Sequence, residues 1–294
     1  MTDALLAIVR VNVVLAVAAL LVLAARRPIR HWFGAHLAYG MWWVVPLAGL
    51  TASLPLARVV KPEAATLRPL WHGLSVALST VSDAAPFVWA AGLVLGVIAV
   101  VLAQRAFERR ERNGEAGPAV VGVLTPRLVM PRRLKTDFTE AERALIRAHE
   151  RAHMDREDPR VNAAVTLGQL ILWFNPMVHV AAHYMRLDQE LACDATVMAR
   201  LPAVKRRYAE TLLKTQLGAA PLPLGCQWLA HPLEERIGAL KLAAPTPRQR
   251  DIGMAALVTL SLMMCAAAWV AQPAKIEEAA LRIVFIDMTP SVVR

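Results

Sequence analysis

Two histidines four residues apart, with a glutamate directly after the first, are the residues of this chain best placed to do chemistry together: His149-Glu150-Arg151-Ala152-His153. On a helix, positions i and i+4 lie one above the other on one face, so both imidazoles can be offered to a single zinc ion. Glu150, one residue round from the first ligand, then stands where a general base takes a proton from a water that the metal polarises. That is the division of labour in zinc-dependent hydrolysis of a peptide bond.

The local sequence predicts a helix here independently of the motif. Thr139 and Glu142 form a capping-box pair, the residues from Ala141 to Ala152 are mostly good helix formers, and Pro159 stops continuation.

Two ligands and a base make no site without a third ligand. A helix expected after Pro176 carries Glu190, which lies 37 residues beyond His153, and Asp194 one turn further along the same face. Glu190 supplies a carboxylate for the third zinc position, and Asp194 can take the outer N–H of a zinc-bound imidazole. His183 is a rival third ligand. Glu190 has an alternative role as the i+4 ion-pair partner of Arg186. His183, Tyr184 and Arg186 are, by position, the candidate donors to a developing oxyanion.

These residues have to be positioned by an unusually apolar chain. Hydrophobic residues make up 56% and charged residues 19% of it, with a mean hydropathy of +0.42, which is too apolar for a soluble domain of this size. Four blocks, 4–25, 37–57, 86–103 and 252–271, are each about long enough to cross a hydrocarbon core of ~30 Å. The fold class expected is therefore mainly α and integral to a membrane, with four transmembrane helices. The first block carries Arg10 and Asn12, exceeds a signal-peptide core and lacks a small-x-small cleavage site, so it reads as retained.

Orientation follows from the arginines. Arg26, Arg27 and Arg30 follow the first block, Arg105, Arg109, Arg110 and Arg112 follow the third, and Arg248 and Arg250 precede the fourth. This puts both termini on the periplasmic side of a bacterial inner membrane. Residues 1–103 then hold three spans, 104–251 a cytoplasmic domain, 252–271 the fourth span and 272–294 a short periplasmic tail. Of the 33 Lys and Arg, 23 fall in 104–251 against 17 Asp and Glu. A basic domain held against anionic headgroups accounts for the net charge of +10 without direct nucleic-acid binding. Cys193, Cys226 and Cys265 suggest neither a disulfide framework nor a C-x-x-C metal pattern.

Within the cytoplasmic segment, a polar connector covers 104–117, and 119–131 reads as two short β-prone pieces separated by Thr125-Pro126. That pair is either an edge for strand addition by an extended substrate or a hairpin packed under the motif helix. Residues 161–182 are apolar but interrupted by Asn162, Gln169, Asn175-Pro176 and His179. They read as a buried or membrane-grazing helix pair, because a fifth crossing would reverse the fourth block. A basic helix over 201–217 presents Lys205-Arg206-Arg207 to headgroups. The helix beginning at His231 is assigned no chemistry.

Taken together, several strings resemble the BlaR/MecR family of membrane-embedded zinc metallopeptidases. They are the Gly122, Pro126 and Pro131 approach, the His-Glu-x-x-His-x-x-Arg-x-Asp string from His149 to Asp158, Asn175-Pro176, and Glu190-x-x-Cys193-Asp194. The resemblance implies a gluzincin-type protease domain between the third and fourth spans, with a small β-hairpin and helices. It places zinc on His149, His153 and Glu190, and the base on Glu150. It also implies signal transduction in which a cytoplasmic protein, a helix-turn-helix repressor in the best-known members, is inactivated. Only 23 residues follow the fourth block and no Ser-x-x-Lys string occurs, so a penicillin-binding sensor domain is not expected in this sequence. Expected partners are membrane lipid and the protein substrate, with a homo-oligomer left open.

Two other classes compete. A signalling scaffold with a structural zinc would use four protein ligands, usually including Cys, and would have no use for Glu150. A four-span transporter would carry its ionisable residues within the spans, whereas here they cluster between them.

Overall fold

Three of the four apolar blocks each form one uninterrupted helix. In the computed structural model, which describes residues 2–54, 59–60, 83–215, 226–227, 233–270, 272 and 275–276, these are α1 (Thr2–Phe33), α4 (Ala85–Arg112) and α11 (Pro247–Val270). Among the described residues, these three helices are long and apolar enough to cross a membrane. The stretch 104–112, expected as a connector, instead continues α4. Its Gln, Ala, Glu and Arg residues are strong helix formers, and the helix ends only at Asn113-Gly114, where Gly114 adopts φ 75°.

The second apolar block is helical but broken. It comprises α2 (Ala35–Gly40), a 3-10 turn (Met41–Trp43) and α3 (Val44–Ser53). Pro46 has no N–H to offer the Trp42 carbonyl, and its ring crowds that carbonyl, which favours the tighter 3-10 turn just before it. These pieces pack against α1 and α11 and bury Ala38, Trp42, Val44, Ala48 and Ala52.

Three short strands follow α4. With β1 (Val59–Val60) earlier in the chain, they are β2 (Ala119–Val121), β3 (Arg127–Val129) and β4 (Cys226–Gln227), paired antiparallel in the order β3-β2-β4. The expected pair exists, but β2 is the central strand and has no free edge. It packs with Phe107 of α4 in a small cluster that includes Ala119, Val121 and Val129, and β3 is an edge strand of the sheet. A further pair joins β1 to β5 (Lys275–Ile276) in parallel.

The remaining helices surround the motif. They are α5 (Leu134–Asp137), α6 (Glu140–Asp155), α7 (Asp158–Ile171), α8 (Pro176–Arg200), α9 (Lys205–Thr215) and α10 (Leu233–Leu240). The capping box on α6 is present: Glu142 N–H donates to Thr139 Oγ1 at 3.3 Å, and Thr139 N–H donates to Glu142 Oε2 at 2.7 Å. The core beneath α6 is built from Leu134, Leu145, Ile146, Val197, Tyr208, Leu212 and Leu240. Lys205, Arg206 and Arg207 are exposed on α9. Most of the loop 58–85, the Pro-rich break 218–223, His231 and most of the tail beyond 272 lie outside the described residues.

Candidate metal centre

The two motif histidines sit on the buried face of α6, and α8 crosses it with Glu190 directed at them. His149, His153 and Glu190 offer ligand atoms that all lie within 4.8 Å of one another. His149 Nε2 and His153 Nε2 are 3.0 Å apart, and Glu190 reaches the first through Oε2 at 3.2 Å and the second through Oε1 at 3.4 Å. Donors around a tetrahedral zinc at 2.0–2.2 Å stand about 3.3 Å from one another. These separations match the edges of such a site.

The outward ring nitrogens have their own partners. His153 Nδ1 lies 2.8 Å from Asp158 Oδ2, while His149 Nδ1 lies 3.2 Å from Asp194 Oδ1 and 2.9 Å from the Tyr208 hydroxyl. Carboxylates on both Nδ1 atoms favour the tautomer that leaves the Nε2 lone pairs pointing inward. Two lone pairs facing each other at 3.0 Å repel unless a proton or a metal cation lies between them. The donor set therefore fits a metal ion on its own chemistry.

Charge leads to the same conclusion. Glu150, Asp158, Glu190 and Asp194 are all buried, and two cations face them. Arg236 is 1% exposed, donates to Asp194 through Nε at 2.8 Å and Nη2 at 2.6 Å, and reaches Glu190 Oε2 through Nη1 at 3.3 Å. Arg156 approaches Asp158 at 3.5 Å. Uncompensated buried charge is costly, and a metal cation at the ligand atoms offsets it. Burial alone would raise Asp194, but Arg236 and its hydrogen bonds hold it down at about 2. Burial likewise opposes ionisation of Glu190, and Arg236 with the two histidines holds it well below the usual carboxylate range.

Glu150 behaves differently. Its side chain is fully buried beside the ligands, and neither carboxylate oxygen has a hydrogen-bond partner among the described residues. Burial pushes its pKa up to about 7, against the pull of His153 and His149. A carboxylate poised near neutrality and left unpaired next to a metal-ligand cluster is suited to exchanging a proton with a small molecule there.

His149, Glu150, His153, Glu190 and Asp194 are thus brought together, and His183, Tyr184 and Arg186 are not. His183 is exposed and stands edge-on to Tyr184, and the ligand atoms that converge are those of His149, His153 and Glu190. Tyr184 lies under the Arg26 guanidinium. Arg186 donates to Thr166 Oγ1 and Gln169 Oε1 on α7 and does not pair with Glu190. Helix α7 crosses α8 at that level and offers two oxygens, while Glu190 is held by Arg236.

Sequence reasoning missed Tyr208, Arg236 and the role of Asp158. Asp158 had a signal, as the last residue of the string that opens at His149. Tyr208 and Arg236 had none, since each meets the cluster only through the packing of α9 and α10.

Fold and site together define a helical membrane protein with a buried His-Glu-His-Glu centre. Residues 110–240 match the family model described as BlaR1 peptidase M56. Among curated proteins, the chain is 29% identical over 98 residues to the regulatory protein BlaR1 of Bacillus licheniformis, covering 33% of this chain and 16% of that protein. It is also 29% identical over 101 residues to the methicillin resistance mecR1 protein of Staphylococcus aureus, covering 34% and 17%. The matched segment is similar to a peptidase-family domain, and over it the chain resembles the BlaR/MecR proteins. The alignments span about a sixth of the length of those relatives.

Proposed function

We propose that the protein is a membrane-embedded, zinc-dependent endopeptidase of gluzincin type. The observation that carries this reading is the unpaired, buried Glu150 carboxylate beside three converging ligand atoms whose outer nitrogens are already satisfied. Zinc held by His149, His153 and Glu190 would supply a Lewis acid that polarises the scissile carbonyl and lowers the pKa of a water towards ~7. Glu150 takes the proton of the attacking water and delivers it to the leaving amine. Asp158, and Asp194 with Tyr208, keep both imidazoles turned so that Nε2 faces inward. Arg236 fixes the Glu190 carboxylate against those nitrogens. A purely structural zinc would leave Glu150 buried, unpaired and without a role.

The membrane arrangement proposed has four crossings, the second being the broken helix 35–53, with arginine-rich ends and the metal centre on the cytoplasmic side. The substrate class proposed is a cytoplasmic protein cleaved in a regulatory response, a helix-turn-helix repressor being the candidate that the family resemblance offers. Metal content of the detergent-purified protein, measured by mass spectrometry beside the His149→Ala/His153→Ala double variant, tests the site. One zinc per chain in the first and none in the second is expected, and metal-free wild type would overturn the reading. Glu150→Gln is expected to keep its zinc while cleavage of a peptide library falls by about 10²–10⁴-fold.

A further inference from the structure

The corner between α7 and α8 is held at two places by helices read as membrane spans. Asn175 Nδ2 donates to Asn12 Oδ1 of α1 at 2.8 Å. On α4, Trp89 Nε1 donates to Ile171 O at 2.8 Å and Trp173 Nε1 donates to Trp89 O at 3.2 Å. Asn12 precedes Arg26 by about 21 Å of helix, and Trp89 precedes Arg105 by about 24 Å, at ~1.5 Å per residue. Asn12, two residues beyond Arg10, lies in the N-terminal third of α1, and Trp89 lies near the start of α4, so both anchors are well removed from Arg26 and Arg105.

Helix α8 runs beside α1 in register. Its Asp188 accepts from Arg26 Nε and Nη2 at 2.8 and 2.9 Å, so the Asn175–Asn12 and Asp188–Arg26 contacts are separated by about 20 Å on both helices. The first half of α8 thus spans the same depth as the stretch of α1 from Asn12 to Arg26. Helix α7 comes down to the corner from the metal-centre end, and α8 returns to it.

The chemistry of the corner suits a medium without water. Carbonyls at a helix C-terminus need partners, and in hydrocarbon only the protein can supply them. Ile171 O receives Trp89, and Trp173 O lies 2.9 Å from His179 Nε2, whose Nδ1 is 3.2 Å from Gln169 Nε2. Facing outward are Leu167, Ile171, Phe174 and Val180, which are 57%, 43%, 43% and 38% exposed. They continue the exposed apolar surface of α4, where Leu95 is 67% exposed.

We propose that 158–187 forms a re-entrant helical hairpin whose apolar outer face is covered by lipid acyl chains to the depth of Asn12 and Trp89, returning to the side it came from. This rests on the reading of α1 and α4 as membrane spans. The test uses the full chain in liposomes, with Cys226 and Cys265 replaced by Ala and the buried Cys193 retained. A nitroxide is placed by Phe174→Cys, with Ile171→Cys as a second site, Leu95→Cys as the span control and Leu124→Cys as the aqueous control.

The ratio of collisions with oxygen to those with a polar nickel chelate should match at Phe174, Ile171 and Leu95. It should exceed that at Leu124 by roughly tenfold, because hydrocarbon excludes the chelate. An aqueous ratio at Phe174 and Ile171 with a hydrocarbon ratio at Leu95 overturns the hairpin and leaves the spans standing. An aqueous ratio at all three overturns both. An impermeant maleimide on sealed vesicles should label Leu124→Cys and Leu201→Cys from the same face, and labelling from opposite faces would replace the hairpin with a crossing.

Discussion

Asp194 is met by three groups at once: Tyr208 donates to Oδ1 at 2.6 Å, Arg236 grips both oxygens, and His149 Nδ1 stands 3.2 Å away. Each has a separable consequence. Tyr208→Phe removes the hydroxyl that bridges Asp194 and His149 without changing the packing of the ring. Loss of such a supporting partner typically weakens metal binding by about 10–100-fold, and competition with a chromogenic chelator should read that loss. Arg236→Met leaves two buried carboxylates without their cation, so folding stability should fall by about 3–5 kcal/mol. A lowered unfolding midpoint in detergent would show it, and an unchanged midpoint would mean that Arg236 does not hold the two carboxylates in place.

At the scale of elements, the turn between α6 and α7 sets the second imidazole. Asp155 ends α6, Glu157 adopts φ 57°, and α7 begins at Asp158. This left-handed residue reverses the chain so that Asp158, only five positions after His153, lies back against its Nδ1. Left-handed geometry is tolerated by Glu and strongly opposed by β-branched side chains. Glu157→Val should therefore destabilise the protein by about 1–3 kcal/mol and loosen zinc, while Glu157→Gly should do neither, as thermal unfolding and metal titration of the pair can establish.

For the whole molecule, the membrane helices and the metal centre share one buried network. Asp188, two residues before Glu190, accepts from Arg26 of α1 and from Trp42 Nε1 at 2.9 Å. Glu235 pairs with Arg30 at 3.2 Å, while its neighbour Arg236 holds Glu190 and Asp194. A displacement of α1 would thus reach the ligand helix α8 and the supporting helix α10 together. Asp188→Asn leaves the buried Arg26 with only the more distant Glu235, at 3.8 Å, as counter-charge and should cost up to about 3–5 kcal/mol of stability. It should leave zinc stoichiometry intact, because Asp188 touches no ligand atom, and the paired measurement of midpoint and metal content separates the two effects.

What the sequence determined by itself was local in origin. The pentapeptide at His149 predicts its helix because i, i+4 spacing and the Thr139–Glu142 cap act within one or two turns. Glu190 and Asp194 were legible because they too share a helix face, and the apolar blocks because hydropathy needs no tertiary contact. Tertiary structure alone decided that Arg236, and not Arg186, is the cation at Glu190, and that His183 faces away. It also decided that 161–182 folds back beside α1. Those outcomes depend on contacts such as Arg236 with Asp194, 42 residues apart, and Arg26 with Asp188, 162 residues apart. No periodicity encodes contacts at that separation, because they follow from which apolar faces pack together and which buried charges then need a partner.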